Sequence, residues 1–581
     1  MSVYQQKDFS DGIDLISDDS RVSDTGYVWA VNVRQRYGFL EPNKKARRIT
    51  DVPAGLKQGM ISIGNIKIAF VAGKAYYQEE DSGIPWIQIG NFLMSTTQPL
   101  FYSVAVPAST FNFVRKLDAG LSIHAPIRAT QDFKVAGTPA GILVQDTVNQ
   151  PWLIEFDSTN QVFTARVTGT YDTWQNVSLS ANDREYVPIG RQMMYKDGIL
   201  HIVAPDGKSV YRSITGRPLD FMINVDVNGN KAPTESLGGV TTTSYAFDFD
   251  EITCLTEIDV PDSFVYATKT NTRIIVADYT NTIFGEPLFR VSAIVKSTGI
   301  SNQYSFTQSL NDLVFISTDS VKSFNAVQQL KFKGNSSIFT KMLSGLIFNP
   351  KTKKHIKQVF CSCVYFQNYL LFNIDTLWGN LIAAYDVILA KWVSLDITEA
   401  SKIKQFCLVE TQLDTKLYCV TYYDEMFELY GDTVDEVAEF RVRGLVSDDT
   451  FIEHKSAYLR PSFNSGTYDG QVFVTEYVDD QLSVDTNVPI TDDYRYANDL
   501  KGVTAGIPFP VIPPVIPNNA NRIDSPSFPL NKGLNGRKIS FVMQWTNDAQ
   551  LMELQLSTSE DKSQASMKQQ DQYNKETYEP T

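Results

Sequence analysis

Long apolar runs are missing from this chain. No stretch approaches the ~20 consecutive apolar residues that a membrane-spanning helix requires, so none is expected. Cysteine is scarce: Cys254, Cys361, Cys363, Cys407 and Cys419 are odd in number and lack the spacing of a disulfide framework. Free thiols on strands, in a reducing compartment, are the simplest account. The four histidines, His124, His201, His355 and His454, are scattered, and none lies in a nucleophile elbow or an HExxH context. No Walker loop and no GxGxxG occurs. Positive charge is in short supply too, with 52 Lys and Arg against 66 Asp and Glu and a formal net charge of −14. That balance argues against a generic nucleic-acid coat, which needs clustered cations to displace counterions. It leaves room for an acidic surface along which DNA slides without sticking. The opening residues MSVYQQKDFSDG lack a basic stretch followed by an apolar one, so no secretion signal is expected.

What the chain does have is β structure in quantity. Its 581 residues exceed one ordinary core and imply two to four domains. A hydrophobic share of 43% and an aromatic share of 12% argue for folded sheet rather than bulk disorder. Residues 364–395, VYFQNYLLFNIDTLWGNLIAAYDVILAKWVSL, carry the clearest pattern. An apolar strand over 369–374 meets a turn with Gly379-Asn380 at its tip, and 381–385 returns. Asp386 then leads into Lys391-Trp392-Val393, where a tryptophan can fill the wedge between neighbouring propeller blades. Any antiparallel meander would also account for that stretch.

The same rhythm recurs along the chain. A meander over 60–77 turns at Gly64-Asn65 and at Ala72-Gly73-Lys74, with 86–89 as a fourth strand. Further strands fall at 141–144, 152–156, 161–167, 196–203, 210–213, 263–268, 272–277, 313–317, 417–422 and 426–430. Units of short strands every ~40–50 residues predict a radial array. The expected organisation is all-β: an N-terminal arm and opening strand over 1–57, then a β-propeller over 58–435 with an irregular insertion near 91–135. An appended antiparallel β-sandwich-like domain follows over 436–557, with longer strands at 439–443, 453–459, 471–478, 537–545 and 551–556. It includes a stiff Pro-rich arm at 506–517, GIPFPVIPPVIP. Residues 558–581 form a polar tail.

Candidate chemistry is sparse. Asp479-Asp480 and Asp492-Asp493 read as solvated turns rather than catalytic pairs. Asp226-Val227-Asn228-Gly229-Asn230 begins like a calcium loop, but Lys231 stands where glycine is needed and Leu237 where the bidentate glutamate belongs. An Asn-Gly hairpin turn is the better reading there. Cys361 and Cys363 alternate on one strand face without a second pair to complete a zinc site, so they read as core residues. No catalytic residue, metal ligand or cofactor is expected. One basic loop stands out, Lys351, Lys353, Lys354 and Lys357 around His355, with Lys331, Lys333 and Lys341 before it. It is either a solvated loop or a contact for DNA or an acidic partner.

Several stretches, in their order along the chain, resemble the tail nozzle proteins of short-tailed bacteriophages, the tail tubular protein B family. Asp11-Gly12-Ile13-Asp14 with Val31-Asn32-Val33-Arg34 and Tyr37-Gly38-Phe39-Leu40 is similar to that family's opening segment. Tyr211-Arg212-Ser213 before Gly216-Arg217-Pro218-Leu219-Asp220-Phe221 is similar to its blade exit. Residues 299–324 resemble its central blade, and Tyr385-Asp386 with Trp392 its Tyr-Asp…Trp ending. The resemblance covers roughly residues 8–430 and departs at 91–135 and at the Pro-rich stretch. It implies a non-enzymatic structural protein of the virion tail: a hexameric ring below the portal and adaptor. That ring would conduct genomic DNA through its lumen without sequence-specific binding, and it would contact tail fibres or tail-tip proteins. The competing expectation is a propeller that binds or cleaves carbohydrate in receptor recognition, which needs carboxylates converging at the central mouth. A cellular interaction propeller of the WD or kelch kind would show regular letter-level repeats, which are missing.

Overall fold

In the computed structural model, the described residues are 2–89, 121, 125–168, 187–221, 224–225, 231–232, 250–324, 346–464, 470–490 and 522–561, save for short stretches inside those spans. The protein is all-β, and every complete element among these residues is a strand. Tight turns explain why the strands are short and sequential. Ala72 and Gly73 both take positive φ (47° and 78°), as do Asp197 and Gly198 (51° and 80°). This backbone matches the right-handed twist of a two-residue hairpin. Lys57–Ile63, Ile66–Val71, Lys74–Glu79 and Ile87–Gln88 thus make one four-stranded antiparallel sheet. Residues 196–203, expected as one run, are broken by the Asp197-Gly198 turn into Met193–Lys196 and Ile199–Val203.

Six more sheets of the same kind follow. They occupy residues 128–167, 193–212, 252–295, 306–323, 362–396 and 403–429. Each buries an apolar face against the next. Phe70 shares a core with Ile142 and Trp152, Leu153 with Leu200, and Val203 with Phe264. Val265 then shares a core with Phe315, Ile316 with Phe372, and Leu371 with Leu417. The seventh sheet returns to the first, with Cys407, Val409 and Tyr418 packed on Met60, Ala69 and Val71. Gln405 seals that joint, accepting from Met60 N at 3.2 Å and donating to Met60 O at 2.6 Å. The seven sheets therefore form a closed circuit. The 364–395 stretch is the sixth sheet, with strands Tyr369–Thr376, Gly379–Asp386 and Lys391–Asp396; its first hairpin turns at Leu377-Trp378, so Gly379 and Asn380, expected at the tip, instead open the return strand opposite Thr376 and Asp375. Asp386 Oδ1 accepts from the amides of Ile388 and Leu389, which shapes the second turn.

The N-terminal segment, expected as an arm with an opening strand, contributes strands to three of the sheets. Arg47–Arg48 completes the seventh sheet beside Met426–Leu429. Trp29–Val31 joins Ala438–Arg441, Lys538–Trp545, Gly470–Val478 and Gln481–Ile490 in a second kind of sheet. Val33–Arg36 and Phe39–Pro42 join Gln550–Asp561, Glu453–Asn464 and Arg522–Asp524 in its companion, where Ser2–Gln6 also pairs with Gln550–Asp561. Along 472–478 the side chains alternate, with Val472, Val474, Glu476 and Val478 buried and Phe473 exposed. The two sheets share one core, in which the rings of Phe463 and Trp545 meet at 5.9 Å. The last strand reaches Asp561, four residues into the expected polar tail. The rest of that tail, the Pro-rich arm at 506–517 and most of the 91–135 insertion lie outside the described residues. Of that insertion, Arg128–Ala129 and Phe133–Lys134 are short strands on Ala140–Gln145.

One buried ionic cluster fastens this two-sheet module to the circuit. The Arg34 guanidinium donates to Asp396 Oδ2 at 2.8 Å, with both side chains nearly inaccessible. Asp396 Oδ2 also accepts from Tyr430 OH at 2.8 Å, and Oδ1 accepts from Asn43 Nδ2 and Ser394 Oγ. Arg34 lies between the rings of Tyr369 and Tyr430, 5.1 and 4.6 Å from their centroids. Gly12 marks a second contact. It sits at φ +69°, and a Cβ there would overlap the Trp392 carbonyl oxygen.

Candidate functional site

Each sheet of the circuit enters by its first strand, and five of those strands meet around a cavity of about 280 Å³. Arg128–Ala129 comes from the second sheet, Met193–Lys196 from the third and Ile252–Glu257 from the fourth. Gln303 and Tyr304 lead into Phe306–Ser309 of the fifth, and Gln405 arrives on Ile403–Glu410 of the seventh. Residues from so many sheets converge only at the middle of the circuit, so this cavity is axial.

Its polar groups are unevenly satisfied. Gln405 is occupied by Met60, and Gln308 Nε2 donates to the Glu257 carbonyl at 2.9 Å. Gln192 Nε2 donates to Thr253 O at 2.5 Å, while its Oε1 is shut away from solvent without a partner. Arg128 Nε is likewise enclosed and unpartnered. Burial lowers the Arg128 guanidinium below its ordinary range, Tyr304 opposes that shift and the positive charge of Arg191 adds to it. Burial likewise lowers Lys404, whose ammonium donates to Gln58 O at 3.0 Å; Asp424 opposes the shift and Arg128 adds to it. Tyr304 is pushed up by burial.

A larger cavity of about 1100 Å³ opens between the first and seventh sheets. There the charges cancel one another. Glu80 takes ion pairs from Lys67 at 2.6 Å and Lys416 at 2.8 Å, and a hydrogen bond from Tyr418 OH at 2.8 Å. Burial would raise its carboxyl, but the bonds from Lys416, Lys67 and Tyr418 hold it below its ordinary value. Lys416 also reaches Asp81 at 2.7 Å, Arg47 pairs with Glu428, and Arg48 pairs with Glu425 at 2.7 Å.

The basic loop lies in neither cavity. Lys351, Lys353, Lys354 and Lys357 are exposed, on and just beyond the hairpin of Phe348–Asn349 with Lys354–His355. Asn349 Oδ1 caps its turn by accepting from the amides of Lys351 and Thr352. Lys331, Lys333, Lys341, Asp480, Asp492, Asp493 and His124 lie outside the described residues. Asn224–Val225 and Lys231–Ala232 pair antiparallel on either side of 226–230, as a hairpin requires. Cys361 and Cys363 share one apolar core, and all five thiols are buried and free. His201 is buried against the rings of Phe264 and Phe289. Among the described residues no group of three or more His, Cys, Asp or Glu is placed to hold a metal ion, and no helix is long and apolar enough to cross a membrane.

Sequence reasoning did not single out Arg128, Tyr304, Glu257 or Lys404. They are up to 276 positions apart and share no linear motif, and Arg128 falls inside the segment that read as irregular. No family model matches the chain, and no curated protein matches it. Among solved structures, that of Saccharomyces cerevisiae Sqt1 aligns with 66% of this chain and 98% of its own, at 7% identity and a TM-score of 0.35.

Proposed function

We propose that the chain is a seven-bladed β-propeller with a β-sandwich formed from both of its ends. In this reading it serves as a structural subunit of a short-tailed phage tail, a nozzle ring that retains and then conducts the genome. The portal and adaptor lie above it, and fibres or tip proteins contact it. The family resemblance along residues 8–430 supports this reading, and so does the acidic net charge, which keeps DNA from adhering to a wall. The observation that carries the assembly is an apolar strip along the seam between sandwich and propeller. Trp378 is 68% exposed beside Trp29, their rings 6.0 Å apart. Ile397 and Val437 stand exposed on either side of Asn32, which accepts from Ile397 N and donates to Val437 O. Exposed apolar groups on a rigid seam suit a heterologous contact that closes into a ring.

Electron microscopy class averages of the purified chain, alone and with tail components, test the reading. Six-fold rings with an axial channel are expected. A monomer that never forms rings, even with its neighbours present, would overturn it. The axial cavity favours a second reading, a propeller that recognises a carbohydrate receptor, for which a glycan-hydrolysis and glycan-binding screen is the test.

A further inference from the structure

The axial cavity has an unmatched cation. Among the described residues Arg128 forms no ion pair, although Glu257 lines the same space, and its Nε has no acceptor. The two other cations nearby are engaged: Lys404 is held by Gln58 O and Arg191 by Glu251 at 3.3 Å. At the seam and in the larger cavity the protein answers enclosed charges from within, as Asp396 answers Arg34 and as Lys67 and Lys416 answer Glu80. A guanidinium presents a planar fork of donors that fits an oxyanion, and a charge removed from water without a partner is costly unless something supplies the opposite sign. The remaining lining fits a small polar ligand. Tyr304, Gln303 and Glu257 offer hydrogen-bonding groups around the apolar Met193, Met194, Leu255 and Phe306.

We propose that this cavity is a binding site for a small hydroxylated oxyanion of about monosaccharide size, with Arg128 gripping the anionic group. The volume of about 280 Å³ lies at the small end of ligand cavities and excludes a polymer strand. Ligand hydroxyls would donate to Glu257. The site is independent of ring assembly, so it stands or falls separately from the nozzle reading.

Isothermal titration calorimetry of the full chain in chloride-free buffer tests it, with D-glucuronate, inorganic phosphate and neutral D-glucose as probes. Saturable binding of glucuronate, and none of glucose, is the expected result. Phosphate binding as tightly as glucuronate would name a phosphate-type ligand at the same site. Arg128→Gln should weaken the anion about tenfold to a hundredfold, the worth of a charged hydrogen bond. Arg128→Lys should restore part of the loss, and Lys74→Gln, exposed on the first sheet, should change nothing. Circular dichroism melting of each variant confirms that it is folded. Absence of binding by both anions, or binding that survives Arg128→Gln in a folded protein, overturns the proposal.

Discussion

The seam and the axial cavity bury the same kind of side chain and treat it in opposite ways. At the seam, Asp396 and Tyr430 surround Arg34, and Tyr369 completes the cage. Burial pulls the Arg34 guanidinium down, but Asp396 and Tyr430 more than offset that and hold it above its ordinary value. In the cavity, burial dominates at Arg128 and no carboxylate opposes it. The difference separates a charge used as a fastening from a charge held open. A third base takes a third route: His201, enclosed by Phe264 and Phe289 and near the positive Arg212 and Lys196, avoids the problem by staying neutral. Burial first, then Arg212 and Lys196, lower it to about 3.

The sharpest way to break this contrast is Asp396→Ala. It leaves the Arg34 charge buried and unpaired and should cost about 3–5 kcal/mol, read as a fall in the urea midpoint. The pH dependence of stability comes next. His201 binds its proton near 6.5 in the unfolded chain and near 3 in the folded one, so stability is whole above pH 6.5 and lost as pH falls below it. Between pH 6.5 and 5 the loss should be about 2 kcal/mol. His201→Leu should flatten that slope in urea melts at the two pH values.

Removing both partners at the seam sharpens the comparison further. Arg34→Met with Asp396→Leu replaces the pair by apolar groups and should cost less than Asp396→Ala alone, within about 1–2 kcal/mol of the parent. The smallest effect is expected at the cavity. Arg128→Gln removes a charge with no internal partner, so its urea midpoint without ligand should match the parent within about 0.5 kcal/mol. A large destabilisation there would mean that Arg128 is a fastening after all.

The sequence made local pairing legible because turn chemistry is local. Gly64-Asn65 announces that Ile66–Val71 returns on Lys57–Ile63, Gly379-Asn380 places the next hairpin only to within two residues of its Leu377-Trp378 turn, and the buried Trp392 is marked by its place after Asp386. Pairing across hundreds of residues carries no such signal. Nothing in Arg47-Arg48 says that it will lie on Phe427 and Glu428, and Ser2 facing Thr558 is set by tertiary packing alone. The strand Ile403–Glu410, half polar and without a flanking Gly or Asn turn, went unremarked, yet it seals the circuit through Gln405. The axial site was illegible for the same reason. Its residues are chosen by where each first strand passes the axis, a property of the closed circuit and of no short window.

The pairing of Ser2–Gln6 with Gln550–Asp561 sets a timetable for biosynthesis. A ribosome needs on the order of a minute to reach the later strand after making the earlier one. Throughout that interval the sheets of the circuit can form hairpin by hairpin, while residues 2–6 wait as an unpaired edge. An unpaired edge is a template for other chains. In a cell making many copies at once, the danger period for misassembly is therefore set by translation speed. Slowing elongation over residues 430–550 should raise the aggregated fraction, even though no side chain has changed.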